Sequence, residues 1–179
     1  MTYYKKIVGE RVYLSPFEAD APEIIAKWAE WMNDKTVADY YGGYHNLVTD
    51  EAAKKRLAVL TGYRFAIVLL DGDKLIGHVS IHDVDTINRN AWMAIAIGDR
   101  ACRNKGYGGE TLRLVLQFAF HTLNLHNISL SVYADNKAAI ACYKKVGFKE
   151  IGRWREGAFK DGRYIDKIFM DMLDNEFTL

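Results

Sequence analysis

Cysteine and proline are nearly missing from this chain of 179 residues, at two each. Cys102 and Cys142 are too few for a disulfide framework and lack the spacing of a metal site, so no bound metal is expected. Two unpaired thiols suit a reducing interior. With only Pro16 and Pro22, no proline-rich linker divides the sequence. Net charge is equally scarce: 24 Lys and Arg against 23 Asp and Glu leave +1 at neutral pH. That balance supplies no broad field to draw in nucleic acid or an anionic membrane. No apolar run approaches the roughly 20 residues that span a bilayer. The opening MTYYKKIVGERVYL has no apolar stretch with a small-residue cleavage site, so no signal peptide is expected. These absences point to a cytoplasmic globular domain, long enough to bury roughly 70% of the surface its unfolded form exposes.

What is present alternates between two periods. Arg11–Leu14 reads as a short strand, and Asp20 as the cap of a helix with Pro22 in its first turn, running to about Met32. Ile24, Ile25, Trp28 and Trp31 form its apolar side. Residues 33–48 read as an irregular link rich in tyrosine and glycine, and Thr49 as the cap of a second helix through Leu60. Tyr63–Leu70 and Leu75–Ile81 are β-rich runs around an Asp71-Gly72 turn, and Trp92–Ile97 is a further strand. Gly106–Leu123 is helical, with Leu112, Val115, Leu116 and Ala119 on one face and Arg113, Gln117 and His121 on the other. Asn127–Ala134 alternates again, Asn136 opens a helix that Gly147 ends, and two strands near Phe148–Phe159 and Tyr164–Leu173 flank Asp161-Gly162. The expectation is one α+β (α/β) domain over 1–179: a mixed, mostly antiparallel sheet of about seven strands flanked by about four helices.

The densest anomaly is RNKGYGGE, residues 103–110, where three glycines fall in four positions as a helix begins. Glycine costs about 1 kcal/mol against alanine inside a helix. A helix N-terminus exposes unpaired N–H groups at the positive end of its dipole, and bare glycines let a phosphate approach them. Arg103 and Lys105 would add mobile positive charge at the rim. A tight strand-to-helix turn is the competing explanation. Neither G-x-x-x-x-G-K-[ST] nor G-x-G-x-x-G is satisfied here, since Thr111 stands where the latter needs its third glycine.

RNKGYGG does fit R/Q-x-x-G-x-G/A, and so resembles the acetyl-CoA pyrophosphate loop of the GCN5-related N-acetyltransferases, the GNAT family. Downstream, NKAAIACYKKVGF at 136–148 resembles that family's N-x-x-A-x-x-x-Y-x-K-x-G-F segment. The ending REGAFKDGRYIDKIFMDML is similar to the branch holding ribosomal-protein N-terminal and spermidine N-acetyltransferases. The resemblance implies a GNAT fold and acetyl-CoA as the acyl donor. It implies that Arg103, Asn104, Lys105, Gly106, Tyr107, Gly108 and Gly109 hold the pyrophosphate, and that Asn136 hydrogen-bonds the pantetheine arm. Main-chain groups of about Ile95, Ala96 and Ile97 would pair with pantetheine and polarise the thioester carbonyl. The Gly98–Cys102 connection is one residue longer than the commonest family spacing, which leaves the exact donor open.

Tyr143 then becomes the expected general acid, protonating the departing thiolate; its bland role is core packing beside Ile140 and Val146. Cys142 reads as a small hydrophobe, since no His–acid pair in the motif would activate it. The general base is not encoded where related enzymes often carry a strand glutamate, because Trp92 occupies that place. His82, Asp83 and Asp85 are the candidates, alongside a water chain; an ordinary histidine titrates near neutrality, though His82 also reads as a plain surface or core residue. A minor neutral fraction of the amine reacting with no dedicated base is the alternative. Family acceptor sites are built from the link between the first helices and from the last hairpin, here 33–48 and 155–166. Tyr40 and Tyr41, with Asp39 and Asp50 near them, suit a small primary amine such as a polyamine or amino sugar. A protein N-terminus is the second reading, and a non-catalytic acyl-CoA-binding module the third. Dimers are frequent in the family, so a homodimer is an expectation.

Overall fold

The computed structural model describes residues 2–41 and 45–178; Gly42, Gly43 and Tyr44 of the tyrosine-rich link lie outside the described residues. The chain runs β1 (Ile7–Val8), β2 (Val12–Pro16), α1 (Pro22–Asn33), α2 (Lys35–Tyr41), α3 (Asp50–Ala58), β3 (Tyr63–Leu69), β4 (Leu75–Asp85) and β5 (Asn90–Ile97). It continues through α4 (Tyr107–Gln117), β6 (Asn127–Tyr133), α5 (Lys137–Val146), β7 (Lys149–Lys160) and β8 (Arg163–Leu173). The strands form one sheet in the order β1-β2-β3-β4-β5-β6-β8-β7. Every neighbouring pair is antiparallel except β5 with β6. The mixed, mostly antiparallel architecture is the expected one, with an extra two-residue strand and an extra helix among the described residues.

That helix, α2, falls in the segment read as irregular. Asp34 starts it: its Oδ1 accepts from the Thr36 N–H and hydroxyl, both at 2.8 Å. Thr49 caps α3 as expected, accepting from the Ala52 N–H at 3.1 Å. Asp20 does not cap α1. Ala21 occupies that place without a side-chain bond, and Pro22 at the first position starts the helix instead.

Helices cover both faces of the sheet. On one, Leu112, Val115, Leu116 and Ala119 of α4 bury against Val12, Ile67, Val79, Met93 and Ile128. Burying a leucine of this kind stabilises by roughly 2–3 kcal/mol. The long helix expected here is α-helical only through Gln117. It then widens into a π turn over Phe118–Thr122, where Phe118 meets the Tyr63 and Phe65 rings edge-on at 5.7 and 5.4 Å. On the other face, Ile24, Trp28 and Trp31 of α1 and Ala53 and Leu57 of α3 pack on Tyr13, Ala66 and Val68. Among the described residues no helix is long and apolar enough to cross a membrane.

One detail of the sheet positions everything that follows. β5 pairs with β6 only at Asn90↔Asn127, Ala91↔Ile128 and Trp92↔Ser129. Beyond Trp92 the strands separate: β6 stays with β8 through Tyr133, and Met93–Ile97 stay with β4. Half of the main-chain N–H and C=O groups of Met93–Ile97 therefore face a gap with no strand opposite.

Candidate active site

A cleft of about 1570 Å³ passes through this gap. α4 opens at one end of it. Gly106 caps the helix in the left-handed region at φ 86° with no side-chain bond, and Asn104 before it is also left-handed at φ 59°. The N–H groups of Tyr107, Gly108 and Gly109 have no acceptor among the described residues. The tight-turn explanation covers Gly106 alone, whose backbone an L side chain resists. A Cβ on Gly108 would sit 3.8 Å from Ile97 and 4.0 Å from Cys142; one on Gly109 would sit 3.7 Å from Cys142. These are ordinary contacts, so packing does not require glycine at 108 or 109. What the two positions leave bare is a stretch of cleft wall beside free N–H groups.

The rim charges differ from the expectation. Arg103 is not mobile: its Nε donates to the Ile97 carbonyl at 3.1 Å, and Nη2 to that of Gly98 at 2.9 Å. Its Nη1 donates to Thr36 Oγ1 at 2.7 Å, so the guanidinium ties the end of β5 to α2. Those strand-end carbonyls need a donor, and Arg103 is the one within reach. Lys105 is exposed and does not line the cleft. The cation at the loop is Arg11, which the sequence did not single out. It donates to the Lys105 carbonyl and to Glu110 Oε2, each at 2.9 Å, and lies 5.1 Å over the Tyr107 ring. Glu110 also accepts from the Arg11 and Val12 N–H groups at 2.7 and 3.1 Å, locking α4 to β2.

Ile95, Ala96, Ile97, Asn104, Asn136 and Tyr143 all line the cleft. Asn136 caps α5, its Oδ1 accepting from Ala139 N–H at 3.2 Å, while its Nδ2 has no partner among the described residues. Tyr143 stands in the last turn of that helix. Gly147 ends α5 at φ 122°, and Phe148 folds back so that its N–H donates to the Tyr143 carbonyl at 3.0 Å and its ring braces the tyrosine at 5.9 Å. Burial first, with the nearby Cys142 and Tyr41 groups adding to it, raises the Tyr143 hydroxyl well above its ordinary value. It stays protonated at neutral pH and can donate. Burial likewise raises the Cys142 thiol, which packs under the loop glycines and carries no nucleophile's chemistry.

On the far side of the gap, alternate residues of β4 and β5 form rungs: His78 opposite Ala96, Ser80 opposite Ala94, His82 opposite Trp92. The two alanines keep the floor open. Tyr41 lines this region, and its hydroxyl pairs with His78 Nε2. Burial raises that hydroxyl to about 12 and lowers His78 to about 4, so both are neutral at physiological pH. The His78 ring stacks on Trp31 at 6.3 Å, and its Nδ1 is buried without a partner. Tyr40 also lines the cleft, with Lys160 Nζ 3.9 Å above its ring. His82 Nδ1 lies 3.0 Å from Asp83 Oδ2, and both residues line the cleft. Asp85 does not: it accepts from Ile87 N–H, Asn88 N–H and Asn88 Nδ2, holding a turn. The hairpin segment 155–166 contributes nothing to the described wall. It instead braces α2, through Lys160 over Tyr40 and a 2.8 Å Asp161–Lys35 ion pair.

The acetyltransferase (GNAT) domain family matches residues 11–149. The chain belongs to the GNAT family. An L-amino acid N-acetyltransferase of Escherichia coli, AaaT, is 31% identical over 125 residues, covering 68% of this chain and 75% of that protein. A spermidine N(1)-acetyltransferase of Vibrio cholerae is 34% identical over 111 residues, 62% of this chain and 64% of the relative. Among solved structures, spermidine N-acetyltransferase from Vibrio cholerae in complex with CoA and spermine superposes with a TM-score of 0.80 at 25% identity, covering 92% of this chain and 96% of that one.

This GNAT acyltransferase thus carries free helix N–H groups, a protonated tyrosine and a His–Asp pair on the wall of one cleft. Arg11, Arg56, Arg64 and His78 escaped the sequence reading. Arg56 and Arg64 line the cleft from α3 and β3. They sit in stretches of unremarkable helical and β pattern, and only the strand register carries a signal for Arg64, which pairs with Ser80.

Proposed function

We propose that this chain transfers an acetyl group from acetyl-CoA to the primary amine of a small molecule, by direct attack in a ternary complex. The carrying observation is the uncapped N-terminus of α4, whose two sterically unneeded glycines border the gap between β5 and β6. The residues fit the donor: N–H groups of Tyr107–Gly109 for the diphosphate, Asn136 Nδ2 and the unpaired groups of Met93–Ile97 for the pantetheine arm. Bound there, acetyl-CoA supplies an acyl thioester. Names of similar proteins point the same way, since L-amino acids and spermidine are both small amines.

His82, oriented by Asp83, takes a proton through Nε2 from the bound ammonium, the neutral amine then attacks, and its second proton passes to solvent as the amide forms. A main-chain N–H within Met93–Ile97 donates to the carbonyl oxygen as negative charge develops, a contribution of about 3 kcal/mol for one such donor. The new C–N bond forms as the C–S bond breaks, and Tyr143 gives its proton to the sulfur. Solvent restores that proton, and His82 releases its own. Positioned acid–base groups of this kind are each worth roughly 10²–10⁴ in rate.

The test is acetyl-CoA-dependent thiol release with polyamines, amino sugars, amino acids and N-terminal peptides, alongside calorimetry with CoA. Amine-dependent release is expected. Tight CoA binding with no release from any acceptor would overturn the transfer and leave a binding module.

A further inference from the structure

Arginines of the cleft wall differ in how their charge is settled. On the donor side Arg11 pairs with Glu110 at 2.9 Å and Arg103 lies 3.7 Å from Asp34 while donating to two carbonyls, whereas Arg113 and Lys145 are exposed to solvent and have no carboxylate partner among the described residues. On the acceptor side, Arg56 and Arg64 have no carboxylate partner among the described residues. Arg64 is half-buried, donates through Nη1 to the Leu57 carbonyl at 3.0 Å, and lies 5.6 Å over the Phe17 ring, which spends one donor and leaves its charge unbalanced. Arg56 directly precedes Leu57, whose carbonyl Arg64 holds, so both side chains belong to one part of the cleft wall. The acidic group there is Asp83, already paired with His82, while Asp39 is held by Lys35.

We propose that the acceptor amine carries its own carboxylate, received by Arg56 and Arg64, so that the substrate is a small amino carboxylate. This rests on the transfer reaction proposed above. A half-buried guanidinium without a counter-charge is costly, and its planar fork matches a carboxylate through two parallel hydrogen bonds. A polyamine would bring a second ammonium against two like charges instead. The spacing suits a small molecule: Arg64 shares a rung with Ser80 and Ala94, and β3 lies two strand spacings, ~10 Å, from β5. That separation exceeds the amine-to-carboxylate distance of an α-amino group, so the fit is to an amino acid whose reacting amine ends a side chain or a short ω-amino chain, with Trp28 and Met32 offering an apolar wall to that chain.

The experiment compares kcat/KM for amino acids, their carboxamides, aminoalkyl phosphates and spermidine, in the native protein and in Arg56→Gln. Arg56 is exposed and has no hydrogen bond or ion pair among the described residues, so this variant is the informative one. Arg64→Gln follows, with its melting temperature checked. The native protein should prefer carboxylate to carboxamide at least tenfold, and Arg56→Gln should cut that ratio at least tenfold through KM. Spermidine or carboxamides turned over as well as the acids would overturn the assignment, as would a preference for the phosphates or an Arg56→Gln loss equal for acid and amide. A second readout is independent of turnover: binding of an N-acetyl amino acid and of its amide to the CoA complex, by tryptophan fluorescence. Stronger binding of the acid with no thiol release from any amine supports the carboxylate site while overturning the reaction. Equal binding overturns the site.

Discussion

The N-termini of α4 and α5 face the same cleft and are finished in opposite ways. At α5, Asn136 bonds the Ala139 N–H and so closes the helix with its own chain. At α4, Gly106 brings no side chain, and the N–H groups of the first turn are left to whatever enters the cleft. On the proposed reading, the end that satisfies itself leaves α5 to carry the acid, Tyr143 in its last turn, and the bare end of α4 binds the donor. Altering α4 should therefore change affinity, and altering α5 should change turnover.

The largest effect should come from filling the bare end. Gly108→Trp is expected to weaken CoA binding at least a hundredfold by calorimetry, about 2.7 kcal/mol, with a far-ultraviolet circular dichroism spectrum like the native one. Unchanged affinity would break the comparison at its root. On α5, Tyr143→Phe should lower kcat at least tenfold with acetyl-CoA affinity nearly unchanged; equal turnover would remove the hydroxyl from the mechanism. On the acceptor side, His82→Gln should cost roughly tenfold in kcat at neutral pH, the low end for a positioned base. That deficit should shrink as pH rises and the free amine loses its proton unaided. A deficit that is constant with pH would assign His82 a packing role.

The smallest effects sharpen the contrast at Asn136, which caps α5 and, on the proposed reading, also binds the pantetheine arm. Asn136→Ala should lower stability by about 1 kcal/mol through the lost cap and raise the KM for acetyl-CoA severalfold. Asn136→Asp keeps a capping oxygen and replaces the Nδ2 donor with a charged acceptor, so stability should hold while KM still rises. If the two variants behave alike in both measurements, the cap and the ligand contact are not separable.

Legibility in the sequence followed how each feature is encoded. Recognition by backbone needs glycine and a helix start, which are local, so RNKGYGGE and the NKAAIACYKKVGF helix could be read directly. Register-dependent features were not local. The ends of β5 leave carbonyls that capture Arg103, and no motif says that a basic residue after a strand will turn inward. α2 hid inside a segment rich in residues of weak helix propensity, because Asp34 rather than a pattern of apolar residues begins it. The hairpin at 155–166 was assigned to the acceptor wall from resemblance alone, whereas its charges hold α2 in place. His82 and Asp83 were visible as types and Asp85 with them, but only the bulge between His82 and Asp85 in the β4–β5 pairing separates a pair that lines the cleft from a turn-holding carboxylate.

By itself the sequence determined the element periods, both helix starts at the cleft, the glycine-rich turn and the position of the tyrosine on α5, since each depends on residues within one or two turns of one another. Tertiary structure alone decided where charge ends up. Arg11, Arg56 and Arg64 come from a strand, a helix and another strand far apart along the chain, and whether a guanidinium meets a carboxylate or a cleft depends on how the sheet aligns them. Electrostatic partnership is a property of distance in space, and no spacing along the chain records it.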